Sequence, residues 1–322
     1  MLLIDKKAVK SILEEKEIEI TELIKETYIL YAQGQCSLPN SVFLRFPQDE
    51  RNRIIGLPAY VGGRIKSAGI KWISSFPNNI IRGMERASAI IALNDLETGT
   101  VDTLISGTDI SAKRTAASAV EAAICLHNID INEIGIIGCG RINLEILKFM
   151  IKRTNLKKIY LIDSDKTRIE KFVDDIGVDI DKEILDDYDE LFQKVKVISV
   201  ATNASVPYLN KMECISPEHT ILGISLRDFT PEFIMSCSNI VDSIEHVNRE
   251  NTSINMAYMK YNTLNFIKGE IGEIYMRGTY FRDEESPILF SPFGLGVLDI
   301  SLGNYVKEIA IEEGNYCEVL DF

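Results

Sequence analysis

The stretch Glu133-Ile-Gly-Ile-Ile-Gly-Cys-Gly-Arg-Ile-Asn143, followed after an apolar-striped run by Lys157-Lys-Ile-Tyr-Leu-Ile-Asp-Ser-Asp165, decides the fold. Ile134 to Ile137 is short, apolar and β-branched, as a buried parallel strand should be. Gly138 and Gly140 follow at once, and Ile142, Ile146, Phe149 and Met150 then recur at helical spacing. Lys158 to Ile162 reads as a second buried strand with Asp163 at its end. Strand, Gly-x-Gly turn, helix, strand and acid together make a dinucleotide site. Gly138 permits the tight turn, Gly140 lets the backbone approach a pyrophosphate, and the helix N-terminus offers that anion N–H donors and a positive dipole. Asp163 lies roughly 25 residues past Gly138, the spacing of an acid that accepts from ribose hydroxyls. Such an acid repels a 2′-phosphate, so the expected cofactor is NAD; Arg168 in the next helix is the counter-argument. The third fingerprint position is Asn143 rather than Gly or Ala, so a larger side chain must fit between helix and sheet.

Outward from this unit, 322 residues suggest two domains, each with its own core. A net charge of −13, with no basic patch among aromatics, argues against a nucleic-acid partner. The six cysteines form no C-x-x-C and the three histidines are scattered, so no metal site is expected. Reduced thiols and the absence of a signal peptide or a long apolar run predict a cytoplasmic protein with no membrane association.

Upstream, Asp5–Glu14 and Thr21–Gln33 read as amphipathic helices, with Thr21 as an N-cap of the second. From 37 to 106 short strands follow: Val42–Arg45, Arg53–Tyr60, Ser67–Ser74, Ser88–Asn94 and Thr100–Ile105. Asp95-Leu-Glu-Thr-Gly99 joins the last two as a hairpin, and the whole reads as a mostly antiparallel sheet. Arg45, Lys71, Arg82 and Arg86 are its polar residues of chemical interest. Gly107-Thr-Asp-Ile-Ser-Ala-Lys-Arg-Thr-Ala-Ala117 opens a long helix, capped by Thr108 or Asp109, with a small-residue face of Ala112, Ala116, Ala119 and Ala123. Arg114 in its second turn either holds a carboxylate with its fork or is an exposed helix arginine.

Downstream the α/β pattern continues with strands at 195–200, 220–224 and 240–242. Ligands bind at the carboxyl ends of such strands, which singles out Thr202, Ser225 and Asp228. Ser225 or Asp228 alternatively caps the helix opening near Thr230-Pro231. His246 is a candidate base or a satisfied surface residue. Gly269–Thr279 reads as a loop, Ser291-Pro-Phe-Gly-Leu-Gly296 as a second Gly-rich turn, and Leu298–Ala310 as a last helix that returns to the first domain. The expected class is α/β: a Rossmann-type NAD domain over 116–296, and a discontinuous α+β substrate and dimerisation domain over 1–115 with 297–322.

The Gly107–Ala117 run, the upstream strand Gly69-Ile-Lys-Trp72 and the later Gly-x-Gly turn resemble, in order and over nearly the whole chain, the ornithine cyclodeaminase and μ-crystallin family. The resemblance implies a homodimer and an NAD(P)-dependent enzyme. It implies that Arg45, Lys71 and Arg114 bind a carboxylate, that Gly138, Cys139, Gly140, Arg141 and Ile142 form the pyrophosphate turn, that Asp163 is the ribose acid, and that Thr202 contacts the cofactor. Ser164, Ser225 and Gly294 join the expected cofactor set. The cyclodeaminases place a catalytic Asp two residues after the Gly equivalent to Gly223, where this chain has Ser225. They also carry an acid for a distal amine where Ile55 and Gly56 stand here; both departures argue against ornithine cyclisation. Lys71-Trp-Ile-Ser-Ser-Phe-Pro-Asn-Asn79, Arg86-Ala-Ser-Ala89, Ser225-Leu-Arg-Asp228, His246-Val-Asn-Arg-Glu-Asn-Thr-Ser253 and Ser291–Gly296 look similar to one branch. That branch is implied to oxidise N-(2-amino-2-carboxyethyl)-L-glutamate with NAD, giving 2-oxoglutarate and L-2,3-diaminopropionate for siderophore or peptide antibiotic synthesis.

A substrate with several carboxylates needs several cations, and Arg45, Lys71, Arg86 and Arg114 supply them. Acid–base chemistry falls first to Lys71, if neighbouring arginines depress its pKa, then to Asp228 and His246. The rival readings are an amino-acid dehydrogenase, ketimine reductase or cyclodeaminase of the same family, and a non-catalytic NAD(H)-binding protein.

Overall fold

The computed structural model describes residues 1–210, 212–280 and 282–319. The chain forms two compact units, Met1–Arg114 with Leu295–Phe322, and Thr115–Gly294. Among the described residues the main strands form two eight-stranded sheets.

The first unit is built on a mixed sheet. Its order is Cys317–Glu318, Leu2–Ile4, Val101–Ser106, Ala87–Asn94, Ser67–Ser75, Asp49–Val61 and Cys36–Ser37, with Val42–Phe46 also paired to Asp49–Val61. The middle is antiparallel, as the alternating pattern predicts. Leu2–Ile4 runs parallel to Val101–Ser106, a strand of three residues too short to read from periodicity. The 95–99 hairpin forms as expected: the Asp95 carboxylate accepts from Glu97 N, Thr98 N and Thr98 Oγ1, and Gly99 takes φ +74°. The Gly296–Glu313 helix packs on the central strands and on the Glu17–Ala32 helix. Thr21 is not the cap of that second helix. The helix starts four residues earlier, and the Thr21 hydroxyl is buried and donates to Glu17 O. Ile20, fully buried, carries the helix upstream of the residue type that usually starts one.

The second unit carries a wholly parallel sheet in the order Asp181–Ile184, Lys158–Ile162, Glu133–Ile137, Val197–Val200, Thr220–Gly223, Ile288–Ser291, Ser238–Val241 and Ile267–Glu270. This is a Rossmann-type arrangement, so the α/β class read from the sequence holds. Central strands are buried on both faces, which is why they read as unbroken apolar runs. Strand order reverses between Glu133–Ile137 and Val197–Val200, and open α/β sheets bind ligands at such a switch point. Two predicted features differ. Gly269–Thr279 is not a loop: Ile267–Glu270 is an edge strand and Ile271–Arg277 a helix. Its buried side, Ile271, Ile274 and Tyr275, follows helical spacing that the flanking glycines disguise. Asp181–Ile184 and Ile288–Ser291 are added strands, the first polar because it lies at the sheet edge.

Candidate active site

The turn after Glu133–Ile137 has the geometry of a dinucleotide cradle. Gly138 takes φ +93°, and a Cβ there would lie 2.5 Å from Ala201 O, so only glycine fits. Gly140 has the opposite environment: a Cβ would meet nothing within 4 Å, leaving open space over the start of the Arg141–Arg153 helix. No side chain caps that helix, so its first N–H groups suit an anion. Arg141 and Ile142 are its first two residues and are half-buried. Asn143 resolves the departure from the fingerprint. It is fully buried, its Nδ2 donates to Ile137 O at 3.0 Å and Gly138 O at 2.7 Å, and its Oδ1 accepts from Ser199 Oγ at 2.7 Å. An amide thus ties the turn to both strands at the switch point, where glycine would only leave room.

Asp163 closes the cradle from the next strand. Its Oδ2 accepts from Cys139 N at 2.7 Å and its Oδ1 from Asp165 N at 2.9 Å. Ser164, beside it, is exposed. The Cys139 thiol is buried, and desolvation with the nearby Asp163 charge pushes it up to about 12, which makes it inert as a nucleophile.

At the carboxyl ends of the two following strands, Thr202 N donates to Ser225 Oγ at 2.9 Å. The Thr202 and Ser225 hydroxyls both donate to the Asp228 carboxylate, one to each oxygen. Asp228 is fully buried; desolvation raises its pKa, opposed by those two hydrogen bonds. Neither Ser225 nor Asp228 caps the next helix, because Thr230 does so through Phe233 N. Asp228 therefore braces the two strand-end loops with both carboxylate oxygens engaged. Gly294, φ +93°, is fixed by an acid that sequence reading passed over: Asp242 accepts from Gly294 N at 2.7 Å and Phe293 N at 2.9 Å. His246 is buried with its ring centroid 6.3 Å from that of Phe293.

The first unit holds the cations. In the central sheet Arg45 pairs in register with Arg53, and Arg53 with Ser75. Side chains alternate across a pleated sheet, so Lys71, Ser75, Arg53 and Arg45 share one face. Arg86 joins them through Nε, 3.3 Å from Ser75 Oγ. Arg45 is exposed and stacks over the Phe43 ring at 5.5 Å, while Arg82 is exposed in the adjoining turn. Lys71 is only 1% exposed. Its Nζ lies 2.6 Å from Asp299 Oδ2 and 3.2 Å from Ser111 Oγ. Arg114, 9% exposed, donates Nε to Asp299 Oδ1 at 3.0 Å, so it is no solvated helix arginine. Burial lowers the Lys71 ammonium to about 8; Arg114 adds to this and Asp299 opposes it.

The family model for the ornithine cyclodeaminase/mu-crystallin family matches residues 5–314. The chain belongs to this family. It is 28% identical over 305 residues to the N-((2S)-2-amino-2-carboxyethyl)-L-glutamate dehydrogenase of Staphylococcus aureus, covering 91% of this chain and 90% of that one. Among solved structures it is similar to the Thermococcus litoralis Delta(1)-pyrroline-2-carboxylate reductase in complex with NADH and L-proline. The TM-score is 0.89 at 25% identity, over 99% of this chain and 100% of that one. An archaeal alanine dehydrogenase dimer with bound NAD shares the fold at a TM-score of 0.87 and 24% identity, over 100% of this chain and 99% of that one.

Sequence reading missed three residues of these clusters. Asp299 sits in an apolar helix, where the only signal was an acid among Val297, Leu298, Ile300 and Leu302, all fully buried. Arg53 lay in a strand already read, but its pairing with Arg45 needs the register. Asp242 stood at the end of a recognised strand, a position where acids commonly hold loops. Among the described residues no cluster of three or more potential metal ligands occurs, and no helix is long and apolar enough to cross a membrane.

Proposed function

We propose that the protein is an NAD-dependent oxidoreductase that oxidises the Cα–N bond of N-(2-amino-2-carboxyethyl)-L-glutamate, releasing 2-oxoglutarate and L-2,3-diaminopropionate. The observation that carries this reading is the spread of cations on one sheet face. Lys71 and Arg114 lie at one point, and Arg45, Arg53 and Arg86 cluster around Ser75, four residues or about 13 Å along the strand. A free amino acid such as alanine has a single carboxylate and gives the second cluster nothing to bind. A conjugate with three carboxylates engages both. The likeness to the Staphylococcus aureus dehydrogenase supports the same substrate.

The cradle around Gly138 and Gly140 fits NAD, and the Asp163 carboxylate beside it disfavours a 2′-phosphate. When bound, NAD accepts the hydride lost from Cα. Lys71 and Arg114 seat the carboxylate next to that carbon and orient its C–H bond. Lys71, whose pKa of about 8 lies near working pH, exchanges the proton that water addition to the imine and departure of the amine require. Asp228, with both oxygens bonded to hydroxyls, serves the loops instead of the proton transfer.

The opposite face of the same sheet supports a homodimer. Val42, Leu44, Trp72 and Ile90 are between 39% and 63% exposed there, an apolar patch that a second copy would cover. Trp72→Glu is expected to yield monomers in sedimentation velocity, and a wild-type protein already monomeric at micromolar concentration would end this part of the reading. The six cysteines are all free, which supports a reducing, cytoplasmic setting, and the product suits siderophore or peptide antibiotic synthesis.

The deciding experiment follows NADH absorbance with purified protein, NAD and the conjugate, beside alanine and ornithine. NADH and 2-oxoglutarate formed from the conjugate alone are expected. Turnover of alanine, proline formed from ornithine, or NADH binding with no turnover of any substrate would each select a different member of the family instead.

A further inference from the structure

Asp299 is the acid least expected from its surroundings. It lies in the first turn of the Gly296–Glu313 helix and is fully buried. A carboxylate withdrawn from water is tolerated only when its charge is matched. Here each oxygen meets its own cation: Oδ2 lies 2.6 Å from Lys71 Nζ, and Oδ1 lies 3.0 Å from Arg114 Nε. The three residues come from a strand and two helices, so the fold has been arranged to make them meet.

The helix is seated for this purpose by two glycines. A Cβ on Gly296 would lie 3.2 Å from Leu57 Cβ and from Leu57 O, and one on Gly303 would lie 3.4 Å from Ile91 Cγ2. Leu57 and Ile91 are the register partners of Lys71 on its two neighbouring strands. The helix therefore presses onto the strands on either side of Lys71, and Asp299, three residues after Gly296, comes down on the ammonium between them. Two cations and one acid leave a net charge of +1, the complement of a single carboxylate.

We propose that Asp299 is a positioning residue for the reaction: its two oxygens hold the Lys71 ammonium and the Arg114 guanidinium at one spacing, so that a single substrate carboxylate is received by both and Lys71 remains able to exchange a proton. This rests on the reading of Lys71 and Arg114 as substrate cations. Of the elements packed on Lys71, the neighbouring strands present Leu57 and Ile91, the Thr108–His127 helix presents Ser111 and Arg114, and the Gly296–Glu313 helix presents Asp299. The charged groups facing it among the described residues are thus Arg114 and Asp299. Burial and Arg114 lower the lysine to about 8, and Asp299 alone raises it. Without the Asp299 charge the lysine loses its proton at lower pH and Arg114 loses its tether.

The test is a titration of lysine side-chain 15N resonances in the full-length, cofactor-free protein, with Lys71 assigned by its loss in Lys71→Arg. The wild-type midpoint is expected near 8. In Asp299→Asn it is expected about one pH unit lower or more, with return toward wild type in Asp299→Glu. Arg114→Met provides the opposite arm, where the midpoint must rise because a charge that lowers it has gone. With the conjugate and NAD, Asp299→Asn is expected to raise KM about tenfold and to move the Lys71-dependent limb of kcat/KM to lower pH by the same interval as the titration. A Lys71 midpoint unchanged in Asp299→Asn would overturn the proposal, whether or not the enzyme turns over. Should Asp299→Asn not fold, Asp299→Ser, smaller and equally uncharged, takes its place in the same titration. Failure of the wild-type protein to oxidise the conjugate would instead defeat the substrate reading and leave the titration standing.

Discussion

Gly138 and Gly140 stand two residues apart in one turn, and replacing each by alanine should have opposite consequences. At Gly138, φ +93° is a conformation that L-residues rarely adopt, which costs about 1–3 kcal/mol. The added Cβ would also lie 2.5 Å from Ala201 O, and neither side can yield. Gly138 N donates to Ile162 O at 2.8 Å, and Ala201 N to Ile137 O at 3.0 Å, so both backbones are tied into the sheet. Together these effects predict a loss of about 2–4 kcal/mol for Gly138→Ala. Gly140 has φ −99° and ψ 178°, and its Cβ would meet nothing within 4 Å. Gly140→Ala should change stability by less than about 0.5 kcal/mol. It places a methyl group in the open space beside the helix N-terminus, where a pyrophosphate would sit, so NADH affinity should fall at least about tenfold. Urea denaturation gives the stabilities and quenching or transfer of NADH fluorescence gives the affinities. A Gly140→Ala protein that binds NADH like wild type would refute the cradle. A Gly138→Ala protein of wild-type stability would refute the strain argument.

Asp163→Ser should raise the ratio of kcat/KM with NADP to that with NAD by about tenfold or more, because the carboxylate that repels a 2′-phosphate is gone; an unchanged ratio would remove Asp163 from the ribose site. Arg86→Met should raise KM for the conjugate about tenfold with little change in kcat, while any residual turnover of alanine is unaffected, since Arg86 belongs to the distant cluster at Ser75. His127 is held at about 4, below its ordinary 6.5, by burial first and then by Arg282 and His219. Between those values the unfolded chain binds a proton that the folded chain refuses. This contribution to stability is therefore full above pH 6.5 and falls with pH by up to about 1.4 kcal/mol per unit until pH 4. His127→Gln should flatten that part of a urea-stability profile, and an unaltered slope would show that His127 does not carry it.

Local chemistry made much of this molecule legible. The run from Glu133 to Asp165 specified strand, turn, helix and strand by periodicity and by two glycines, interactions that lie within about thirty residues of one another. The strands from 42 to 106 were legible for the same reason, as their alternation and the Asp95–Gly99 hairpin are local signals. Very short or polar strands were not, because Leu2–Ile4 and Asp181–Ile184 exist only by pairing with neighbours distant in the chain or exposed at an edge. Asn143 looked like a defect in its motif until Ser199, 56 residues away, supplied the partner for its amide oxygen. By itself the sequence determined the class of fold, the nucleotide turn and the presence of several cations. Only the tertiary structure decided which cations share a face, that Asp228 braces two loops, and that Asp299 meets Lys71 across 228 residues of chain. Register, burial and charge pairing arise between segments, and no local pattern of residue types encodes the partner of a buried charge.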